Sequence, residues 1–318
     1  PCVRTAALTA FLILAPALFS HAQDPRPIPP PGIKVPDADR AELARAEKAF
    51  GEALVAATRE NSANAGFIAG VPDVAIYHKA VAWALLYDEI FDVKQIATAK
   101  ELIEQGQQRL NNLRAGRKPW DTATGLVVRG YHSVIDDSVQ PYGLVIPEDV
   151  AKNPMQRRPL HFWLHGRGEK LSELAFIADR QKNPGEFVPE GAIVCHLYGR
   201  FCNANKFAGE MDLFEALADI TRHYAIDADR IVVRGFSMGG AACWQFATHH
   251  PGIWAAAAPG AGFAETAEFF NVFAKGKEPP PWWEQVLWRW YDCTTMAANL
   301  TNFPVVAYSG ENDKQKQA

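Results

Sequence analysis

A short β-branched run that ends at a serine between glycines places the strongest constraint on the fold of this chain. Ile231, Val232 and Val233 open the stretch IVVRGFSMGGAACW, and such a run is typical of a strand buried on both faces. The residues after Gly240 are rich in alanine and contain no helix breaker, so they predict a helix. A strand is therefore expected to turn directly into a helix at Ser237.

The glycines around Ser237 explain how so tight a turn is possible. A Cβ atom at Gly235 or Gly239 would collide with the neighbouring strand or helix, so we expect both positions to require glycine. The pattern Gly-x-Ser-x-Gly between a strand and a helix is the nucleophile elbow, which raises the serine oxygen above the sheet. It predicts Ser237 as a catalytic nucleophile, with the backbone N–H of Met238 facing a developing oxyanion. The alternative, a glycine-rich turn without a catalytic role, leaves the serine unexplained.

A serine hydroxyl becomes an effective nucleophile only when a base removes its proton, so an acid and a histidine are expected beside Ser237. In sheets of this kind the partners follow along the chain in the order serine, acid, histidine. Asp313, in the stretch VVAYSGEND, lies just beyond a predicted strand and is the predicted acid. Glu311 is the lesser candidate for that role.

The histidine is not found among the residues that follow the predicted acid. None of the nine histidines comes after Asp313, so we expect the catalytic histidine beyond residue 318. His249 and His250 lie at the far end of the helix predicted after the serine, which is too distant for a proton relay. His161 and His165 are four residues apart on a predicted strand, a setting that disfavours zinc; we expect no metal and no cofactor.

A second oxyanion donor is predicted in the stretch LHGRGE, which ends an earlier strand. The glycine-rich turn after His165 can direct a backbone N–H towards the acyl oxygen, so Gly166 and Arg167 are the candidate donors. The alternative is a simple strand-to-loop turn.

Short apolar strands alternate with helix-length stretches in the second half of the chain. After Trp120 an alternating pattern predicts a hairpin with its turn at Asp136 and Asp137, and Pro141 indicates that its second strand lies near an edge. Further strands are predicted at 160–166, 192–199, 231–235 and 303–310. Strand and helix repeated in this way indicate a mostly parallel sheet with helices on both faces, preceded by an antiparallel hairpin.

Four parts are expected along the chain. Residues 1–22 carry a lone Arg4, an apolar core and a small-x-small cleavage site, which predicts a signal peptide and a secreted or periplasmic protein. A membrane anchor is the alternative, but the apolar stretch is short and is broken by Pro16. Residues 23–40 form a proline-rich linker, 41–119 a helical segment, and 120–318 a catalytic domain that ends before its histidine.

The helical segment shows apolar residues at spacings of three and four, which predict three helices forming a small domain or cap. Pro72 and Asp73 resemble the start of the second helix. The expected buried positions are Leu43, Phe50, Leu54 and Ala57, then Val74, Tyr77, Val81 and Leu85, then Ile96, Ala99, Ile103, Leu110 and Leu113.

Charge and cysteine content exclude some partners. A net charge of −4 and the lack of a dense Lys/Arg run disfavour nucleic acid as a ligand, and we expect no stable membrane span in the mature form. Cys195, Cys202, Cys243 and Cys293 follow the predicted signal peptide. They can be disulfide-bonded in an oxidising compartment or stay as free thiols, and the sequence leaves both open.

The chain resembles the α/β-hydrolase superfamily, in particular secreted bacterial serine esterases and peptidases of the prolyl oligopeptidase-like and polyhydroxybutyrate-depolymerase-like group. The resemblance rests on HGRGE, YGR, IDADRIVVRGFSMGGAACW, HPGIWAAAAPGAG and YSGEND, and covers roughly residues 124 to 318. It implies an acyl-enzyme on Ser237 with Asp313 as acid. It also implies a small-molecule, peptide or polysaccharide-linked ester substrate, and a histidine downstream.

Two stretches offer clues about the substrate. Arg200, Asn203 and Glu210 lie in a loop after a predicted strand and are candidate substrate contacts, although loop structure explains them nearly as well. The stretch 269–292 is rich in aromatic residues, which could hold a sugar or a phenolic acyl group or could pack as one helix face in the core. A carbohydrate esterase of feruloyl or acetyl type and a catalytically inactive binding module are the alternative functions.

Overall fold

The computed structural model of the protein describes residues 27–313 and residue 315. The predicted signal peptide and the first residues of the proline-rich linker lie outside the described residues. The helices are α1 (Asp37–Glu60), α2 (Ala65–Leu86), α3 (Lys94–Arg114), α4 (Glu173–Arg180), α5 (Ala208–His223), α6 (Met238–His249), α7 (Thr266–Phe269) and α8 (Trp282–Trp288). The strands are β1 (Gly125–His132), β2 (Val139–Ile146), β3 (Arg158–Leu164), β4 (Ile193–Leu197), β5 (Ile226–Phe236) and β6 (Ala256–Gly260).

The six strands form one mixed sheet in the order β1-β2-β4-β3-β5-β6. β1 and β2 form an antiparallel hairpin, β2 pairs antiparallel with β4, and the remaining neighbours run parallel. Short apolar strands linked by helices give this arrangement because parallel neighbours need a crossover connection. The predicted α/β-hydrolase fold is therefore confirmed.

The hairpin turn lies where the sequence places it, and its second strand lies near an edge of the sheet. Asp137 adopts a φ of 61° in the turn between β1 and β2. β2 lies between the edge strand β1 and β4, so it is second from the edge of the sheet, which agrees with the position near an edge that Pro141 indicates. Pro141 is tolerated because the pairing of β2 with β4 covers only Tyr142 to Val145, and the proline stands just outside it.

Three long helices precede the sheet, and every residue expected to be buried in them is buried. The first helix begins at Asp37, inside the stretch predicted as a linker. The start predicted for the second helix at Pro72 and Asp73 is wrong, because α2 begins earlier, with the Asn64 side chain accepting a hydrogen bond from the N–H of Phe67 at 3.1 Å.

Asp73 has a different role from the predicted one. It lies within α2 and forms a bidentate ion pair with Arg129 of β1, at 2.8 and 2.9 Å, with both side chains buried. The N–H of Gly130 donates to the same carboxylate at 3.0 Å. This buried pair fixes the helical segment against the hairpin, so the helices are packed on the sheet and do not stand apart from it.

The last strand of the sheet was missed by the sequence analysis. β6 is an alanine-rich run, Ala256–Gly260, and alanine has a low strand propensity. Beyond it, the strand predicted at 303–310 appears only as parallel bridges of Val305 with Ala257 and of Tyr308 with Gly260. That segment nevertheless follows β6 to its carboxyl end, and it brings the residues after Tyr308 to the same edge of the sheet as Ser237.

Candidate active site

The predicted elbow is present at the carboxyl end of β5. The strand ends at Phe236, Ser237 follows with φ 55° and ψ −119°, and α6 begins at Met238. The N–H of Ser237 donates to the carbonyl of Gly260 at 2.8 Å, and the Ser237 carbonyl accepts from Ala241 at 3.0 Å. A positive φ at a residue with a side chain is a strained conformation, and such strain concentrates at functional sites.

The glycines on both sides of the serine are required by close backbone contacts, as the sequence predicts. A Cβ atom on Gly235 would lie 2.1 Å from the carbonyl oxygen of Gly239. One on Gly239 would lie 1.9 Å from the carbonyl oxygen of Leu164. One on Gly240 would lie 2.1 Å from the carbonyl oxygen of Gly260. The start of α6 thus fits against the ends of β3 and β6 with no room for a side chain.

The loop predicted to supply the second oxyanion donor lies beside the serine. A Cβ atom on Gly166 would be 3.7 Å from the Cβ of Ser237, and 3.5 Å from the carbonyl oxygen of Phe236. Arg167 turns its side chain to Glu169, with an N–O distance of 2.7 Å. The loop after β3 and the N-terminus of α6, where Met238 lies, therefore border the same space above the sheet.

The structure brings the predicted acid to the same edge as the serine. Ala261 donates to the carbonyl of Tyr308 at 2.6 Å, which holds the segment before Asp313 next to the end of β6. The Asp313 carboxylate accepts a hydrogen bond from the N–H of Gln315 at 2.9 Å, and the Gln315 side chain accepts from Phe263 at 3.1 Å. Glu311, the lesser candidate, is exposed. The role of Asp313 stays a prediction.

His165 and His249, both within residues 27–313, contact backbone carbonyl oxygens. His165 is the one that follows a strand end beside Ser237, and its two ring nitrogens contact the carbonyl oxygens of Gly166 at 2.8 Å and Tyr198 at 3.1 Å. His249 contacts the carbonyl oxygen of Asp292 at 3.1 Å, at the far end of α6. Burial lowers the pKa of His161, on β3, to about 4, so this imidazole is neutral at neutral pH.

The three predicted substrate contacts all make internal contacts. The Arg200 guanidinium bonds to Asp212 at 2.8 Å, to Asp136 at 2.5 Å and to the Ser133 hydroxyl at 2.6 Å. The Asn203 amide donates weakly to the carbonyl of Arg200 at 3.4 Å. Glu210 contacts His250 at 2.7 Å. Their roles towards a substrate stay predictions.

Sequence reasoning missed the backbone conformation of the loop 199–207. Five residues with side chains adopt positive φ there: Arg200, Phe201, Ala204, Asn205 and Phe207. The loop contacts the elbow, because Cys202 Sγ lies 3.7 Å from the Sδ of Met238. Among these five residues only Asn205 is of a type that tolerates this region of φ, so the sequence signal is weak.

The aromatic stretch 269–292 lies on the surface. Trp282 is 77% exposed and Trp290 61% exposed, so the interpretation of this helix face as core packing is wrong. Tyr291 connects this stretch to the loop 199–207, because its hydroxyl accepts a hydrogen bond from the N–H of Phe207 at 2.8 Å. The indole rings of Trp282 and Trp290 are therefore accessible to a ligand.

The four cysteines after the predicted signal peptide are free thiols, and three of them are buried. Among the residues that the structure describes, no three His, Cys, Asp or Glu side chains lie together as a possible metal site. In the same part of the chain, no helix combines the length and the apolar character needed to cross a membrane.

Comparison with known proteins gives one family match. Residues 201–317, less than half of the chain, match the prolyl oligopeptidase family. No curated protein matches the chain. The matched stretch contains both Ser237 and Asp313.

Solved structures similar to this one are esterases and peptidases at low identity. A thermostable esterase has 19% identity and a TM-score of 0.39, and the match covers 60% of this chain and 58% of that chain. S-formylglutathione hydrolase from Staphylococcus aureus has 15% identity and a TM-score of 0.39, covering 58% and 77%. Acylaminoacyl peptidase from Pyrococcus horikoshii has 14% identity and a TM-score of 0.43, covering 60% and 33%. The match thus spans less than two thirds of the thermostable esterase.

The predicted resemblance to the α/β-hydrolase superfamily is confirmed by the strand order of the sheet, together with the match of residues 201–317 to the prolyl oligopeptidase family.

Proposed function

We propose that this protein is a serine hydrolase that cleaves an ester or peptide bond through an acyl-enzyme on Ser237. The observation that carries the proposal is the strained serine at the start of α6, with φ 55°, enclosed by glycines that admit no Cβ atom. Ordinary turns avoid such a conformation, because a side chain at positive φ is unfavourable. A nucleophile gains from it, since the turn exposes the hydroxyl at the sheet edge.

The chemistry follows from the groups that border the serine. A base takes the hydroxyl proton while Oγ of Ser237 attacks the substrate carbonyl carbon, and the carbonyl oxygen becomes an oxyanion. The N–H groups of Met238 and of the loop at Gly166 and Arg167 stabilise that oxyanion. The leaving group departs with the proton, and water then hydrolyses the acyl-enzyme by the same route.

The base that this chemistry requires is a histidine, and Asp313 orients it. This assignment is supported by the order serine, acid, histidine and by the engagement of His165 with two carbonyl oxygens. The carboxylate of Asp313 would accept a hydrogen bond from the histidine ring and stabilise the imidazolium that forms during attack.

Labelling with a fluorophosphonate tests the acyl-enzyme. The protein is expected to label, and to hydrolyse a p-nitrophenyl ester or a peptide p-nitroanilide. Ser237→Ala should abolish labelling and lower turnover at least about 1,000-fold. Ser62→Ala, at an exposed serine in the turn after α1, is the matched control and should label fully. Absence of labelling at Ser237 in a folded protein would leave the inactive binding module as the explanation.

A carbohydrate esterase of feruloyl or acetyl type is the second candidate. The exposed indole rings of Trp282 and Trp290 favour it, because flat aromatic faces suit sugar rings and phenolic groups. A feruloylated oligosaccharide should then be a better substrate than a simple feruloyl ester. Trp282→Ala should remove that advantage, and equal rates on both esters would dismiss this candidate.

We also propose that the protein is secreted or periplasmic. Residues 1–22 act as a signal peptide, which is supported by the apolar run and by the small residues before Gln23. N-terminal sequencing of the protein from the periplasm or the medium should begin at Gln23. Uncleaved protein confined to the cytoplasm would contradict this assignment.

A further inference from the structure

A cavity lies between the helical segment and the carboxyl edge of the sheet. Its volume is about 200 Å³, and its walls come from both parts of the protein. Trp83 and Glu89 belong to the helical segment, at and just after the end of α2. Glu173 at the start of α4, and Tyr198 and Phe201 after β4, complete these walls.

Glu173 is the first sign that this cavity holds a ligand. The residue is 4% exposed, and Oε1 pairs with the Nζ of Lys79 at 2.6 Å. Its Oε2 atom is buried and has no hydrogen-bond partner among the described residues. A buried carboxylate oxygen without a partner is costly, so a donor supplied by a ligand would stabilise it. Burial also raises the pKa of Glu173 to about 7, against the opposing effect of Lys79.

Glu89 supplies a second carboxylate to the same cavity. It is half-buried, and burial raises its pKa. Its negative charge also raises the pKa of Glu173, so the two carboxylates lie close enough to repel each other. A positive group placed between them would relieve that repulsion.

The cations near the cavity are already engaged. Lys79 bonds to Glu173 and to the carbonyl oxygen of Val139, at 2.6 Å in both cases. Arg200 is held by Asp136 and by the buried Asp212. The carboxylates around the cavity therefore outnumber the cations, which leaves a negative charge for a ligand to neutralise.

The aromatic wall also suits a positive group. The Nζ of Lys79 lies 4.3 Å from the ring centroid of Trp83, so this indole already accepts a cation on its face. Tyr198 and Phe201 add apolar surface for an alkyl chain. Carboxylates beside aromatic rings favour an ammonium group on a hydrocarbon chain over a neutral or anionic group.

The cavity is within reach of the elbow. The backbone that follows Phe201 leads to Cys202, whose Sγ is 3.7 Å from the Sδ of Met238. The ends of β4 and β5 are separated by β3, so two strand spacings lie between them, about 10 Å. A substrate could therefore place one end in the cavity and its reactive carbonyl at Ser237.

We propose that this cavity is a substrate subsite that binds a primary ammonium group about 10 Å from the cleaved bond, through Glu173 Oε2 and Glu89. The inference rests on the proposed serine hydrolase function and names its substrate class: amine-bearing acyl esters or amides. It also gives the helical segment a role, because Trp83 and Glu89 form one wall of the subsite.

A pair of esters of equal length tests the subsite. The p-nitrophenyl ester of 8-aminooctanoate carries an ammonium group at the required reach, and the ester of nonanoate is its neutral counterpart. We expect kcat/KM to be at least about 10-fold higher for the ammonium ester, because one ion pair in a half-buried site supplies that much. Glu89→Gln, at a residue whose side chain forms no hydrogen bond within the described residues, should bring the ratio to about 1. Glu60→Gln, at an exposed residue of α1, is the matched control and should keep the ratio.

Binding measured without turnover separates the two hypotheses. Octylammonium should bind to the Ser237→Ala protein in calorimetry, octanol should bind more weakly, and Glu89→Gln should remove the difference. Glu173→Gln should act in the same way if that variant folds. Hydrolysis of both esters at equal rates, with no preference for octylammonium, would contradict the ammonium subsite but not the serine hydrolase function. Binding of octylammonium without hydrolysis of either ester would contradict the serine hydrolase function but not the binding of an ammonium group in the cavity.

Discussion

Two turns at the carboxyl edge of the sheet hold side-chain-bearing residues at positive φ, and they are stabilised in different ways. At the elbow a single residue, Ser237, has φ 55°, and the turn is fixed by backbone atoms packed against Gly235 and Gly239. In the loop 199–207 five such residues follow one another closely. That loop is fixed by side chains, above all by Arg200.

The difference shows which kind of strain a sequence reveals. Backbone packing at the elbow requires glycine at fixed positions, so it leaves a pattern in the sequence. Ion pairs over long separations, such as Arg200 with Asp136, leave none. The elbow should therefore lose its conformation when a single methyl group is added to one of its glycines. The loop 199–207 should lose its conformation when the charge of Arg200 is removed.

The largest effect is expected from Gly239→Ala. The new Cβ atom would lie 1.9 Å from the carbonyl oxygen of Leu164, and the backbone on both sides is packed in the sheet. We expect a loss of at least about 3 kcal/mol in the free energy of unfolding, measured by urea denaturation. Gly252→Ala is the control, because no atom lies within 4 Å of its Cβ position, and it should change stability by less than about 0.5 kcal/mol. Similar stability in the two variants would mean that the elbow is not closely packed.

Removing the charge of Arg200 tests the second turn. Arg200→Met leaves Asp212 buried without its partner, since the Asp212 side chain is only 3% exposed. We expect a loss of about 3 kcal/mol, as for other broken buried pairs. Arg230→Met breaks a pair with Asp227 in which the arginine is 54% exposed, and it should cost far less than Arg200→Met because solvent screens the pair. Adding Asp212→Asn to Arg200→Met should recover part of the loss; no recovery would place the effect elsewhere.

The strain at Ser237 predicts a smaller and opposite effect. Glycine adopts a φ of 55° without a steric cost, whereas alanine does not. Ser237→Gly should therefore be about 1 kcal/mol more stable than Ser237→Ala in thermal unfolding, although both lack the hydroxyl. At Ser62, an exposed position without positive φ, glycine should bring no gain over alanine. A gain at both positions would show that the effect does not come from the elbow.

The sequence predicted the parts of the fold that depend on periodicity and on glycine. All the buried positions expected in the three long helices are buried, because an amphipathic helix repeats its apolar face at fixed spacing. The turn from β5 into α6 was predicted because few residues other than glycine fit at 235 and 239. The placement of Asp313 at the same edge follows from a strand-like segment leading to that edge.

The parts that were missed depend on tertiary contacts. β6 is an alanine run that becomes a strand through pairing with β5, where its small side chains fit. α2 extends through Pro72 because Asn64 caps it earlier and Asp73 is held by Arg129. Trp282, Val286 and Trp290 repeat at helical spacing, yet all three are exposed, and periodicity alone cannot tell a buried face from an exposed one.

The smallest effect is the titration of Asp136, which bonds to Arg200 in the loop-anchoring network. Hydrogen bonds from Ser138 and then the Arg200 guanidinium lower the pKa of Asp136 from 3.8 to about 2. A carboxyl group whose pKa is lowered on folding stabilises the protein while it is ionised. That contribution is therefore present above pH 3.8 and is lost as the pH falls through about 2. NMR titration of the carboxyl carbon should show this low midpoint. Arg200→Met should raise it part of the way towards 3.8, because the bonds from Ser138 remain.

The same variant should leave the amide signals of Gly235 and Gly239 unchanged, because the elbow is fixed without charges. Movement of those signals together with Asp136 would show that the two turns form one coupled unit.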